Sequence, residues 1–313
     1  MRIVISEFMD DAAVAVLAAR HGTLYDKGLV DRPEALRGEL ADADALVVRN
    51  RTQVNRDLVL AAPSLKVVGR LGVGLDNIDV DVCRARGIEV IPATGANALA
   101  VAEYVIGAAM VLLRGAYFAS AAVGEGQWPR AALSNGRELA GKTLGIVGFG
   151  GIGRLAGRLG RSLGMRAIGY DPQIASSSPI WKEEGTDACE LDALLADAHV
   201  VTLHVPLVDS TRHLIDASRL ARMKPGAILI NTARGGVVDE SAVAAALKAN
   251  RLAGAALDVF EHEPLPAGSP LAGCPNLLLT PHIAGVTAES NTRVSGLIAE
   301  KVLAALSRLP SAR

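Results

Sequence analysis

Short runs of Val and Ile alternate along this chain with Ala- and Leu-rich stretches of helical period, the pattern of a parallel sheet covered by helices on both faces. The first third predicts strands at Ile3–Ser6, Ala45–Val48, Lys66–Gly69 and Glu89–Ile91, with helices near Asp11–Arg20, Pro33–Leu40, Asn55–Ala61 and Asp79–Arg86. A second βα series begins at Lys142, with strands at Thr143–Val147, Arg166–Gly169, Val200–Leu203, Ala227–Ile230, Gly254–Leu257 and Leu277–Leu279. Between the two series an Ala-rich helical pattern runs from Ala98 to Phe118, followed by a loop through Gly124 to Pro129. Glu289 to Leu306 has apolar residues at helical spacing and is expected to return to the first domain. The fold class is therefore α/β, and the expected architecture is two Rossmann-like or flavodoxin-like doubly wound parallel-sheet domains with a cleft between them. The expected domains are a discontinuous one over 1–97 plus 287–313, and a second over 98–286.

Composition narrows the partners. Across 313 residues, 32 Lys and Arg balance 33 Asp and Glu, giving a formal charge of -1 and no general attraction to nucleic acid or anionic membrane. The three cysteines, Cys83, Cys189 and Cys274, have neither zinc-ligand nor disulfide-framework spacing, so no metal is expected and reduced thiols are. The start of the chain lacks the order of a signal peptide, and Val105 to Leu113 is too short to span a bilayer, so a cytoplasmic location is expected.

Leu144 to Gly153 is an apolar strand running into GxGxxG, with a helical pattern behind it. Gly148 permits the tight turn, Gly150 lets backbone approach a pyrophosphate, and Gly153 lets the helix pack close to the strand. The helix start then aims unpaired N–H groups at the phosphates. A second strand ends at Asp171, where an acid meets the adenosine ribose 2′-hydroxyl; a phosphate there would be repelled, which favours NAD over NADP. A turn residue before Pro172 is the plainer reading of Asp171.

Hydride reduction of a carbonyl beside such a cofactor needs a cation to polarise the oxygen, an acid to protonate the developing alkoxide, and a group to tune that acid. Arg234, in the loop after a Val/Ile-type strand, offers the guanidinium fork. For the acid, spacing alone does not select His282 over His204 or His262.

Four ordered stretches across nearly the whole chain resemble the D-isomer-specific 2-hydroxyacid dehydrogenase family: Gly148 to Gly153 with Asp171, Asn231 to Glu240, Ala256 to Pro264, and Pro281 to Gly285. The resemblance implies that Arg234 binds the substrate carboxylate and ketone, that His282 is the general acid/base, and that Glu263 hydrogen-bonds His282. A carboxylate beside an imidazole favours its charged, proton-donating form. It further implies an NAD-binding domain over 98–286 and a substrate domain over 1–97 plus 287–313. Gly151 and Ile152 would meet the pyrophosphate; Val205, Pro206 and Thr211 would line the adenosine side; Thr232, Ala233 and Asp258 would flank the nicotinamide, with Arg234, His282 and Gly285 completing that side. A strand-end cap is the plainer reading of Asp258.

Arg70 to Asn77 resembles the family's substrate loop, in which the backbone of Gly72, Val73 and Gly74 holds the substrate carboxylate. Arg49, Asn50 and Arg51, with Arg70, are expected either to be solvated surface or to bind a second anion on the substrate. The wording of 7–10, 48–52, 69–79, 128–130 and 282–290 is most similar to family members acting on (S)-sulfolactate, with phosphoglycerate, D-lactate and glyoxylate or hydroxypyruvate as alternatives. Similarity extends to phosphoglycerate dehydrogenases, but their regulatory tail is not expected. Glu263 departs from the amide that formate dehydrogenases carry. Family likeness further implies a homodimer through the Ala98–Trp128 helix and loop. An NAD-sensing corepressor-like binding protein and a phosphite dehydrogenase are the competing classes.

Overall fold

The computed structural model describes residues 1–309. The chain divides into two compact units, Met1–Asn97 with the segment from Val286 onward, and Ala98–Gly285.

The first unit is built on a five-stranded parallel sheet of β1 (Arg2–Ile5), β2 (Gly22–Tyr25), β3 (Ala45–Val48), β4 (Val67–Arg70) and β5 (Glu89–Pro92), in the order β2-β1-β3-β4-β5. Successive side chains point to opposite faces of a strand. Ile3, Ile5, Ala45, Val47 and Val67 therefore enter one apolar layer, while Val4, Leu46, Val48 and Val68 enter the other. The long helix Ala288–Ser307 lies on the first of these layers through Ile298 and Val302. Gly69 makes room for it: a Cβ there would stand 2.9 Å from a methyl of each. The apolar pattern did not reveal β2, a short edge strand with no fully buried position.

The second unit holds a seven-stranded parallel sheet of β6 (Thr143–Val147), β7 (Arg166–Tyr170), β8 (Asp187–Ala188), β9 (Val200–Leu203), β10 (Ala227–Asn231), β11 (Leu252–Leu257) and β12 (Leu277–Leu279). Their order, β12-β11-β10-β9-β6-β7-β8, reverses direction of winding between β6 and β9. In such sheets ligands bind beyond the carboxyl ends of the strands at that reversal. The helix Gly151–Ser162 follows β6 closely because Gly153, Gly157 and Gly160 recur on one helical face; a Cβ on the last two would press on Ile146 and Leu144 of the strand. The Ala-rich helix ends at Arg114, earlier than the expected Phe118, because Gly115 takes φ +64° and closes the helix in the left-handed region. Short helical turns then run to Gly124. Among the described residues no single helix is long and apolar enough to cross a membrane.

Candidate active site

At the reversal in the second unit, the turn after β6 and the segment after β9 pack backbone to backbone. Gly148 has φ +92°, and a Cβ there would lie 2.5 Å from the carbonyl oxygen of His204 and 3.0 Å from Val205. A Cβ on Gly153 would stand 2.2 Å from the Gly148 carbonyl oxygen, so turn and helix are compatible only with glycine. Gly150 and Gly151 face open space, and Gly150 caps the helix without any side-chain bond, which leaves first-turn N–H groups for an anion. Asp171, at the end of the neighbouring β7, accepts the Phe149 N–H of this turn at 2.8 Å and the Gln173 N–H at 2.9 Å. The glycine turn and the acid thus form one local site, as a dinucleotide requires. The Thr211 hydroxyl is committed to its own loop, donating to the Pro206 carbonyl at 2.6 Å and accepting from the Val208 N–H at 2.9 Å.

Three further loops leave the adjacent strands β10, β11 and β12. Asn231, 1% exposed, clamps the first by accepting the Ala233 N–H and donating to the Arg234 carbonyl, both at 3.0 Å. Gly235 brings this loop against the second: a Cβ on it would lie 1.8 Å from the Phe260 carbonyl oxygen. Arg234 and Glu263 are thereby held on touching backbones. The Thr232 hydroxyl is buried without a hydrogen-bond partner, an acceptor-donor left for a polar ligand group.

Glu263 accepts the Phe260 N–H at 3.1 Å through one oxygen and meets His282 Nδ1 at 2.8 Å through the other. The carboxylate can only accept, so Nδ1 carries a hydrogen and Nε2 is the position left for proton exchange. The three histidines that spacing left open differ in their surroundings. His204 is partly buried, hydrogen-bonded to Thr202, and desolvation lowers its pKa to about 4, so it is neutral near pH 7. His262 is exposed at the surface of its loop, whereas the His282 ring is held by Glu263. His213 also meets a carboxylate, Glu261, at 3.0 Å.

Asp258 is 1% exposed and its carboxylate already takes three donors: Thr280 Oγ1 at 2.6 Å, Ile283 N–H at 2.8 Å and Ala284 N–H at 2.8 Å. The strand-end-cap reading is realised in this geometry, with one lone pair still available on Oδ2. Tyr104 and Thr280, which complete this cluster, were not singled out in the sequence; their signal was only a hydroxyl at a strand end and a tyrosine inside an apolar helix.

In the first unit, Glu7 after β1 is 4% exposed and receives the N–H groups of Arg49, Thr52 and Arg51 at 2.8, 3.0 and 3.1 Å. Asn77 donates to the carbonyls of Arg49 and Thr52. Arg49 is thus held at the end of β3, its guanidinium bonded to Asn291 at 2.8 Å and 5.8 Å from the centre of the Phe8 ring. Among the described residues it forms no ion pair, and burial lowers its pKa against the attraction of Glu7. Arg51 instead pairs with Asp31 at the surface, and Asn50 beside it is exposed. Arg70 folds back to the Leu71 carbonyl at 3.1 Å, its guanidinium lying in the space a Cβ on Gly72 would take. Val73 and Gly74 follow in the same loop, Val73 37% exposed.

Residues 106–284 match the family model for the NAD-binding domain of D-isomer specific 2-hydroxyacid dehydrogenases. The chain is 52% identical over 304 residues to an (S)-sulfolactate dehydrogenase of Chromohalobacter salexigens, covering 97% of this chain and 98% of that one. The chain belongs to the D-isomer specific 2-hydroxyacid dehydrogenase family. It is 36% identical to a D-3-phosphoglycerate dehydrogenase of Archaeoglobus fulgidus over 99% of its own length but only 58% of that protein's. A D-lactate dehydrogenase from Aquifex aeolicus, solved with NAD and lactic acid, superposes with a TM-score of 0.84 at 29% identity, covering 98% of this chain and 96% of that one. As a 2-hydroxyacid dehydrogenase the protein is an oxidoreductase acting on a CH–OH donor, with NAD as its cofactor. The glycine turn, the uncapped helix start, Asp171 and the unpaired Thr232 hydroxyl fit that cofactor.

Proposed function

We propose that the enzyme interconverts (S)-sulfolactate and sulfopyruvate, and that Arg49 receives the sulfonate. The observation that carries this reading is the more than half-buried Arg49 guanidinium, whose partners are an amide and a ring rather than a carboxylate. A buried cation of this kind is relieved by a ligand anion. The 52% identical relative, named for sulfolactate, supports the same substrate. Stereochemistry is consistent: the sulfur-bearing methylene outranks the carboxylate, so the hand that is D in lactate is labelled (S) in sulfolactate.

In the oxidation, NAD when bound would supply the acceptor for the hydride leaving C2. His282 Nε2 takes the hydroxyl proton while Glu263 holds the ring through Nδ1 and stabilises the imidazolium formed. Arg234 grips the substrate carboxylate and the C2 oxygen. The backbone of Gly72 to Gly74, with Arg70, serves the same carboxylate, and Asn50 and Arg51 lie beside Arg49 at the sulfonate. Gly148, Gly150, Gly151, Ile152 and Gly153 hold the pyrophosphate, Asp171 the ribose, and Val205, Pro206 and Thr211 the adenosine side. Thr232, Ala233, Asp258 and Gly285 flank the nicotinamide. The enzyme acts as a homodimer through the helix Ala98–Arg114 and the stretch to Trp128, where Met110, Tyr117, Phe118, Val123 and Trp128 remain exposed.

Steady-state NAD reduction with (S)-sulfolactate, phosphoglycerate, D-lactate, malate and glycolate tests the substrate. The expected result is the highest kcat/KM on sulfolactate, with Arg49→Ala raising its KM at least roughly 10-fold and leaving D-lactate oxidation little changed. A preference for D-lactate or another monoanion would refute it.

A further inference from the structure

We propose that Tyr104 and Thr280 are positioning residues for His282, acting through a directed line of hydrogen bonds that ends on Asp258. The inference rests on His282 being the acid/base and adds the device that aims it. His282 has φ +56°, a conformation that non-glycine residues rarely adopt. Such a backbone persists only where its surroundings over-determine it.

Asp258 does so, because it receives three consecutive N–H groups of the turn. The His282 N–H goes to the Asp258 carbonyl at 2.8 Å, and those of Ile283 and Ala284 go to its two carboxylate oxygens, each at 2.8 Å. Those bonds orient the turn only if the carboxylate itself is fixed. Its remaining donor is Thr280 Oγ1, at 2.6 Å. Thr280 has one hydroxyl proton, and the carboxylate is an acceptor, so that proton is spent on Asp258. Tyr104 OH, 2.7 Å from the same Oγ1, must then be the donor to Thr280. The line therefore runs one way, from Tyr104 on the helix Ala98–Arg114 to Thr280 after β12 to Asp258 after β11. Burial raises the Tyr104 phenol pKa, which keeps its proton in place. A sequence separation of 176 residues between tyrosine and threonine ties that helix to the His282 turn.

The test uses Thr280→Val, Thr280→Ser and Tyr104→Phe, with His282→Ala alongside. In the cofactor-free proteins, amide hydrogen exchange at Ile283 and Ala284 is expected to quicken in Thr280→Val and Tyr104→Phe and to stay near wild type in Thr280→Ser. In turnover, Thr280→Val should lose roughly 10-fold or more in kcat while KM for NAD moves less than about twofold, with Thr280→Ser recovering most of the loss. Tyr104→Phe should fall between them. Unchanged exchange and kcat in Thr280→Val, or equal losses in the valine and serine variants, would overturn the proposal. Full turnover by His282→Ala would overturn the acid/base reading itself, whereas an inactive His282→Ala beside a wild-type Thr280→Val would remove only the positioning role.

Discussion

At the scale of single residues, desolvation makes one histidine, His204, a contributor to the pH dependence of stability. His204 is partly buried just past the end of β9, and desolvation takes its pKa from 6.5 to about 4. The unfolded chain therefore takes a proton at this site well before the folded one does. Between pH 6.5 and 4 the unfolded state gains, and stability falls as pH falls, by up to roughly 3 kcal/mol for this group alone. His204→Gln should accordingly show a shallower decline of Tm between pH 6.5 and 4 than the wild type. Parallel declines in the two proteins would show that His204 does not carry the effect. His282, the proposed acid/base, differs from it: its side chain is 42% exposed, and a carboxylate holds one ring nitrogen.

Elements place these residues, and the close approach of helix to strand is where their tolerance is narrowest. Gly69→Ala would set a methyl 2.9 Å from both Ile298 and Val302, so it should destabilise the first unit by about 1–3 kcal/mol in chemical denaturation. Gly38→Ala, with nothing within 4 Å in the helix Pro33–Leu40, should instead stabilise by about 0.5–1 kcal/mol. Equal effects at the two positions would contradict this view of the packing. The strands buried on both faces were legible in the sequence because their apolar runs are continuous, as at Thr143–Val147 and Val200–Leu203. The edge strands β2 and β8 were not, since a strand exposed along one side needs no such run. The same division holds for the site. Glycine spacing marked the cofactor turn, and motif wording marked Arg234, Glu263 and His282. The roles of Glu7, Thr280 and Tyr104 escaped because each works by bonding backbone or side-chain groups that only the fold brings to it, Glu7 reaching residues more than 40 positions away.

For the whole molecule, the exposed apolar residues between Met110 and Trp128, with Trp128 78% exposed, predict association of two copies. Sedimentation at micromolar concentration should give a dimer, and Tyr117→Glu with Trp128→Glu should shift it toward monomer; a monomeric wild type would contradict the interface. The second unit, matched over most of its length by the family's NAD-binding domain, holds Arg234, Glu263 and His282 in the loops after three neighbouring strands. The most direct test of that trio is parallel measurement of NAD affinity and turnover in His282→Ala and Arg234→Ala. If these side chains perform the chemistry, kcat should fall by about 100-fold or more with NAD binding nearly intact. Turnover within a few-fold of wild type in either variant would contradict it.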